Sequence, residues 1–231
     1  MQLYLTKILK EKRRKNWITF FCSIFTDNRI TDVLINSNED QTADRVKIVN
    51  LNENHLHNIP RQLLIKTPNV ENLLLARNRI DELNRSAFNI MGNLKEIDIS
   101  ENKLTDVPND IFFENNLLES VNFDSNSLEK IPENLLSHNK NLRRFSASSN
   151  KIQIIPANMF ENNPLLKEIN LADNLIGVVG IPQLLLVHNP DLEYLALGGN
   201  KLKKLPEIFF DKSSNIRQLY LQANQLKNLS P

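Results

Sequence analysis

The chain has 231 residues, of which 41% are hydrophobic and 24% are charged, proportions that are ordinary for a soluble, packed protein. Its net charge of +1 is uneven, because residues 1–16 carry +5 and the rest carries −4. The mildly acidic remainder lacks the basic footprint of a nucleic-acid-binding protein, so we predict no nucleic-acid partner. The single cysteine, Cys22, excludes an internal disulfide and leaves the redox compartment undetermined.

Residues 1–25 place a basic run before a nine-residue apolar run that begins at Trp17 and ends at Phe25. Nine residues span about 14 Å as a helix, well short of the roughly 30 Å hydrocarbon core, so the run is not a membrane span. Its order is that of a secretory leader, but no small-x-small cleavage site follows. A leader, a cap segment and an incorrectly assigned start are three interpretations of this segment. Any membrane association would have to come from it or from segments outside this sequence.

Residues 26–45 are polar apart from a short apolar cluster that begins at Ile30 and ends at Ile35. This cluster can form a strand. Because the first unit of a repeat protein otherwise leaves its core and a sheet edge open, we predict that residues 26–45 form an N-terminal cap.

The remaining residues, 46–231, are organised by an asparagine that is followed two positions later by an aliphatic residue. The eight copies are Asn54, Asn78, Asn102, Asn126, Asn150, Asn174, Asn200 and Asn224. Successive asparagines are 24 residues apart in six of seven intervals, and 26 apart between Asn174 and Asn200. A fixed period of this length predicts a stacked solenoid.

Each unit opens with apolar residues at positions one, four and six, as at Leu94, Ile97 and Ile99. This alternation indicates a strand. Equivalent strands 24 residues apart can be joined only by crossovers, so the predicted sheet is parallel. The asparagine at position nine carries two donors and an acceptor, which we expect to satisfy turn backbone groups in its own and the adjacent unit. Leucine there would orphan those groups at about 1–3 kcal/mol each.

The second half of each unit has an Ile-Pro or Leu-Pro step followed by a large apolar residue. The prolines are Pro60, Pro108, Pro132, Pro156 and Pro206, and the apolar residues four positions later include Leu64, Phe88, Phe112, Leu136, Phe160 and Phe210. Proline suits an outer segment that needs no ladder donor. We predict that the large apolar residues stack as a spine along the outer side of the core.

These units resemble the 24-residue class of the leucine-rich repeat family, with the form Leu-x-x-Leu-x-Leu-x-x-Asn-x-Leu-x-x-Leu-Pro-x-x-x-Phe. The resemblance implies an α/β fold: a right-handed horseshoe solenoid with a concave parallel sheet and a convex side that is irregular, 3-10 or briefly helical. It implies eight repeats in residues 46–231, the last one truncated. That class is typical of extracellular proteins and receptor ectodomains, including Toll-like receptors. The stretch from Met159 to Ile169 looks like secreted or ectodomain members from arthropods. The paired cysteines of the usual flanking caps are missing from this sequence.

Catalytic and metal-binding patterns are missing from the sequence. The five glycines form no phosphate-binding loop. His55 and His57 flank core Leu56, but no carboxylate or cysteine joins them at ligand spacing. We therefore predict no enzyme, no metal and no cofactor.

The binding residues are expected among the strand side chains that point out of the concave face. Tyr194 and Tyr220 fall in adjacent repeats, and exposed tyrosines are favoured interface anchors. Acidic residues cluster mid-sheet at Glu96, Asp98, Glu101, Glu119 and Asp124, and a sharp change of sign follows at Arg143 and Arg144. Asn122, Glu168 and Asn170 complete the predicted binding set.

Two glycosylation sequons are present, at Asn84 and at Asn228. Asn84 replaces the outer proline and should be exposed. The longer unit, residues 166–191, has lost the outer proline, and we expect its two extra residues to bulge outward or to alter the curvature; a partner-binding bulge is an alternative.

The resulting functional prediction is a non-catalytic module that binds a protein partner on its concave face, outside the cell or at its surface, in recognition, adhesion or innate immunity. The alternatives are an intracellular, cytoplasmic scaffold or regulatory subunit, and a truncated gene product.

Overall fold

A computed structural model describes residues 46–227. The predicted leader and N-terminal cap, and the sequon at Asn228, lie outside the described residues.

The described residues form one parallel sheet whose eight strands lie in chain order. The strands are β1 (Ile48–Asn50), β2 (Asn72–Leu74), β3 (Glu96–Asp98), β4 (Ser120–Asn122), β5 (Arg144–Ser146), β6 (Glu168–Asn170), β7 (Tyr194–Ala196) and β8 (Gln218–Tyr220). One α-helix, α1 (Arg61–Lys66), and a 3-10 helix (Ile176–Val178) lie in the outer segments. This architecture confirms the predicted leucine-rich-repeat solenoid.

Each strand is three residues long, and in β1 to β7 the central side chain is buried in the core, whereas Leu219 of β8 is 42% exposed. Val49, Leu73, Ile97, Phe145 and Ile169 are examples, each 6% exposed or less. The registers pair each strand residue with its equivalent one repeat later, for instance Leu73 with Ile97. The residues on either side of the centre therefore form columns that run along the concave face.

A left-handed backbone residue ends each strand segment, directly before the ladder asparagine. These residues are Glu53, Arg77, Glu101, Ser125, Ser149, Asp173, Gly199 and Ala223, with φ between 51° and 68°. Seven are not glycine, so the conformation is sterically costly and the surrounding structure must impose it. The Ser125 N–H donates to the Ser148 carbonyl at 2.9 Å, and the equivalent bond recurs along the stack. The left-handed turn thus joins adjacent repeats.

Each ladder asparagine from Asn78 to Asn200 connects consecutive turns through four hydrogen bonds of its side chain. The Asn150 amide donates to the carbonyls of Phe123, Ala147 and Ser148 at 3.0–3.2 Å. Its Oδ1 accepts from the Leu128 N–H at 2.9 Å. Two of these four partners, Phe123 and Leu128, belong to the preceding repeat. Each amide therefore satisfies groups of two turns at once.

A second amide ladder runs along the outer corner of the core, three residues before the first leucine of four repeats. Its members are Asn115, Asn139, Asn163 and Asn189, all fully buried. The Asn139 amide donates to the carbonyls of Phe112 at 3.1 Å and Asn115 at 2.8 Å, both one repeat earlier. Among the described residues, their Oδ1 atoms have no hydrogen-bond partner. This ladder is not among the features predicted above, although its asparagines recur with the repeat period.

The spine of large apolar residues lies beside this second ladder. The Phe88 and Phe112 rings stack with centroids 5.7 Å apart and planes 13° apart, and Phe123 from the sheet meets Phe112 at 6.2 Å. The last residue predicted for the spine, Phe210, is only partly buried, whereas the neighbouring Phe209 is 2% exposed. Phe209 therefore fills the core at the last level.

The 26-residue repeat accommodates its two extra residues in the 3-10 helix. Within this helix, the Gly177 N–H donates a hydrogen bond to the Asn200 carbonyl at 2.8 Å. Val178 and Val179 beside it are 63% and 65% exposed. Here the backbone of one repeat lies directly against the next, since a Cβ on Gly177 would meet the Lys201 carbonyl oxygen at 2.2 Å.

Replacing Gly177 by alanine should destabilise the protein by about 1–3 kcal/mol, because backbone atoms must move to admit the methyl group. The matched control is Gly92→Ala, whose Cβ would meet nothing within 4 Å. It should leave stability unchanged or raise it by up to about 1 kcal/mol. Urea unfolding followed by circular dichroism measures both. Equal effects of the two variants would contradict the close approach at Gly177.

Candidate binding surface

The concave face is built from the outward residues of the eight strands. The first-position column is Ile48, Asn72, Glu96, Ser120, Arg144, Glu168, Tyr194 and Gln218, and the third-position column is Asn50, Leu74, Asp98, Asn122, Ser146, Asn170, Ala196 and Tyr220. Ser120 and Ala196 are buried, and the other members are partly or fully exposed. The face is therefore a polar surface with one aromatic cluster.

That aromatic cluster is formed by Tyr194 of β7 and Tyr220 of β8. Their ring centroids lie 5.3 Å apart with the planes at 44°. Tyr220 is 41% exposed, and its hydroxyl donates a hydrogen bond to the Gln218 Oε1 at 3.2 Å. Burial raises the pKa of Tyr194, and the charges of Tyr220 and Glu168 add to the effect. Tyr194 therefore remains a neutral hydroxyl at physiological pH and can donate a hydrogen bond to a partner.

Three predicted binding residues also cap strand ends. The side-chain oxygens of Asp98, Asn122 and Asn170 each accept a hydrogen bond from the backbone N–H two residues later, at 3.0, 2.9 and 3.2 Å. Such a bond stabilises the exit from a strand locally. The polar character of this column therefore has a structural cause that the sequence analysis did not consider.

The acidic cluster that the sequence places together is divided in the structure. Glu96 accepts a hydrogen bond from the Asn72 amide on the concave face. Glu101 instead pairs with Arg77 in the turns, with Nε to Oε1 at 2.9 Å. Asp124 accepts from the Ser148 N–H at 2.6 Å and from the Ser146 hydroxyl at 2.5 Å. The concave face thus keeps Glu96, Asp98 and Asp124, while the turns take Glu101.

The two predicted arginines also separate. Arg143 precedes β5, and its guanidinium pairs with Glu119 at 3.6 Å. Arg144 begins β5 on the concave face, in register between Ser120 and Glu168. Within residues 46–227, Arg144 has no ion pair, so it is the cation of this face that a partner can reach.

Arg143 belongs to a row of charges that the sequence analysis did not find. Each member immediately precedes a strand: Lys47, Glu71, Lys95, Glu119, Arg143, Lys167, Glu193 and Arg217. The signs alternate except between Arg143 and Lys167, and the shortest contacts are 2.7 Å for Lys47 with Glu71 and 2.8 Å for Lys95 with Glu71. The row could have been found by reading this position at the 24-residue period.

Hydrogen bonds from Lys47 and Lys95 lower the pKa of Glu71 from 4.5 to about 2. A lowered folded-state pKa means that the contribution to stability is present above about pH 4.5 and is lost as the pH falls toward 2. Because these groups face solvent, the contribution of each pair is small.

Within residues 46–227, no three His, Cys, Asp or Glu side chains are arranged to hold a metal ion. No helix in the same range is long and apolar enough to cross a membrane. A groove of about 380 Å³ lies on the outer side between two repeats.

A parallel solenoid with an inner amide ladder, an outer aromatic spine and an open concave sheet defines a repeat protein whose class serves protein interaction. The chain belongs to the leucine-rich repeat family: the BspA type leucine rich repeat region matches residues 57–180 in six copies.

Several solved structures share this fold. A leucine-rich repeat protein from Leptospira interrogans is 26% identical, with 89% of this chain and 49% of that chain covered and a TM-score of 0.77. The TLR13–ssRNA13 complex is 20% identical over 80% of this chain and 26% of that chain, with a TM-score of 0.73. Toll in the glycosylated Drosophila Toll–Spatzle complex is 25% identical over 81% and 28%, with a TM-score of 0.67. The chain thus spans half or less of the length of these proteins. No curated protein matches it.

Proposed function

We propose that the chain is a non-catalytic recognition module that binds a protein partner on its concave face, with Tyr194 and Tyr220 as the anchor. The observation that carries this proposal is the pair of touching tyrosine rings on a sheet face that is otherwise polar. Aromatic residues with a polar end contribute large contact area at low entropic cost, and they dominate the energetics of many interfaces.

The charges on the concave face favour a protein over a nucleic acid. Glu96, Asp98, Asp124 and Glu168 are carboxylates on this face, whereas Arg144 is the cation among the strand residues. Such a surface repels a phosphate backbone, whose binding depends on clustered lysine and arginine. It suits a polypeptide segment that brings a basic group to the carboxylates and an acidic group to Arg144.

An extracellular or cell-surface location, with a role in recognition, adhesion or innate immunity, is the second part of the proposal. The likeness to Toll in complex with Spatzle, at 25% identity, supports it. An intracellular scaffold is the competing proposal, and the single cysteine is consistent with it. We also propose that the chain is divided into an N-terminal segment of residues 1–25, a cap of residues 26–45 and repeats over residues 46–231.

The double variant Tyr194→Ala, Tyr220→Ala should weaken partner binding by at least about 1–2 kcal/mol, a factor of roughly 5–30 in Kd. Quantitative affinity capture from the host's extracellular fluid and cell-surface fraction, with wild-type and variant chains as bait, identifies the partners that depend on the pair. Titration with the purified partner then gives Kd.

The control bait is Val178→Ser, Val179→Ser, which changes two exposed apolar side chains in the outer segment. This control should retain the partner. Unchanged affinity of the tyrosine variant would rule the pair out, and loss of the partner with the valine control alone would transfer the binding site to the bulge.

A further inference from the structure

The sequon Asn84-Arg85-Ser86 lies in the outer segment that follows β2, at the position where most repeats carry proline. Asn84 is exposed, and its Oδ1 accepts hydrogen bonds from the Ser86 N–H at 3.0 Å and the Ser86 hydroxyl at 2.9 Å. Within the described residues, the Asn84 Nδ2 has no hydrogen-bond partner. The reactive nitrogen of the sequon is therefore free and accessible, while its amide oxygen is held in place.

A groove begins at this sequon and continues onto the next repeat. Its lining includes Ser86, Asn89, Asp110, Phe113 and Glu114, and its volume is about 380 Å³. Phe113 is 48% exposed, and its ring lies 4.0 Å, centroid to centroid, from that of His138. The groove therefore has an aromatic wall and several polar groups, which together match the apolar face and the hydroxyls of a sugar.

Arg85, the middle residue of the sequon, also lines the groove and connects its two sides. Its Nε donates to both carboxylate oxygens of Asp110, at 2.7 and 2.8 Å. This contact joins the sequon's repeat to the repeat that carries Phe113. The attachment point and the aromatic wall therefore lie on adjacent repeats that this ion pair connects.

We propose that Asn84 is an N-glycosylation acceptor and that the first sugars of its glycan pack against Phe113 in this groove. In the reaction, the Asn84 Nδ2 forms a bond to the anomeric carbon of a lipid-linked oligosaccharide. The bond from that carbon to the pyrophosphate oxygen breaks, and the lipid pyrophosphate leaves while Nδ2 loses one proton. In the native cell this modification rests on the proposed extracellular location. The glycan would cover the outer side and leave the concave tyrosine pair open.

The acceptor is tested by expressing the full 231-residue chain behind a cleavable secretory leader in eukaryotic cells and mapping the peptides by mass spectrometry. A glycan is expected on Asn84, absent from Asn84→Gln and Ser86→Ala and retained in Ser86→Thr, whose hydroxyl can make the same bond. The map also separates Asn84 from Asn228. Unmodified Asn84 in both the secreted and the endoplasmic-reticulum pools would overturn the acceptor proposal.

The packing against Phe113 is tested by thermal unfolding of glycosylated and Asn84→Gln chains. The glycan should raise Tm by about 1–4 °C, the shift expected for up to one kcal/mol in a chain of this size. That shift should disappear in Phe113→Ala. It should persist in the control Leu117→Ala, which truncates another exposed apolar side chain of the same repeat connection. An equal shift in all three backgrounds would overturn the packing.

The chain isolated from its native host distinguishes this proposal from the proposed location. An unglycosylated cytosolic pool in the host, together with full occupancy in the secretory expression, would sink the extracellular location and leave the acceptor geometry intact. A secreted native chain without a glycan at Asn84 would support the extracellular location and overturn the acceptor proposal.

Discussion

Replacing Asn150 by leucine is expected to destabilise the solenoid by about 3–5 kcal/mol. The Asn150 side chain makes four hydrogen bonds, and leucine removes all of them from a position that is 8% exposed. Each buried backbone group left without a partner costs about 1–3 kcal/mol, and water at the turn recovers part of the sum. Urea unfolding at equilibrium, followed by circular dichroism, measures the loss.

The control for this substitution is Asn158→Leu, in the outer segment of the following connection, where the asparagine is exposed. A surface change away from such a network usually stays within about 0.5 kcal/mol. If Asn150→Leu unfolded at the same urea concentration as the control, the ladder would not be what holds consecutive turns together.

Replacing Phe112 by alanine is expected to cost about 3–5 kcal/mol, because the change removes buried surface and leaves a cavity. The Phe112 ring is fully buried and contacts Phe88 and Phe123 from two directions. Since stability in a solenoid depends on contacts between neighbouring repeats, the loss of stability should extend to the repeats on either side of the one that carries Phe112. Urea unfolding gives the size of the loss, and native-state hydrogen exchange shows which repeats open.

The matched control is the next residue, Phe113→Ala, which truncates the same side chain at a site that is 48% exposed. In the unglycosylated chain it should cost less than about 1 kcal/mol. Similar losses for the two phenylalanines would contradict the assignment of Phe112 to the spine.

The sheet was predictable because its signals repeat. One copy of the apolar pattern around Ile97 is ambiguous, but eight copies, spaced by 24 residues in six of seven intervals, indicate a parallel stack. The same spacing indicates why Asn150 cannot be leucine, since a buried amide at the end of every strand must serve neighbouring turns.

The left-handed residues were not predictable from their own identity. Ser149 and Glu101 adopt φ values of 54° and 51°, yet neither residue type is a signal for that conformation. The turn is imposed by the hydrogen bonds on either side of it. The second ladder differs, because Asn139 and Asn163 do recur at the period and could have been identified by a search at every offset.

Side-chain pairing limited the prediction of the binding surface. Arg143 and Arg144 are adjacent in sequence, but their side chains point in different directions at the start of β5. Arg143 pairs with Glu119, and Arg144 lies on the concave face. Glu101 likewise pairs with Arg77 in the turns and is therefore separated from the acidic cluster. Tyr194 and Tyr220 could be placed near each other because both lie in the strands, where the register determines neighbours.

The most direct test of concave-face recognition is hydroxyl-radical footprinting of the chain with and without its purified partner. Oxidation at Tyr194 and Tyr220 should fall at least several-fold on binding, because a partner that covers the anchor excludes water from both rings. Oxidation at Phe113, Val178 and Val179 on the outer side should stay unchanged. Protection of the outer residues with unaltered oxidation of the two tyrosines would contradict the account.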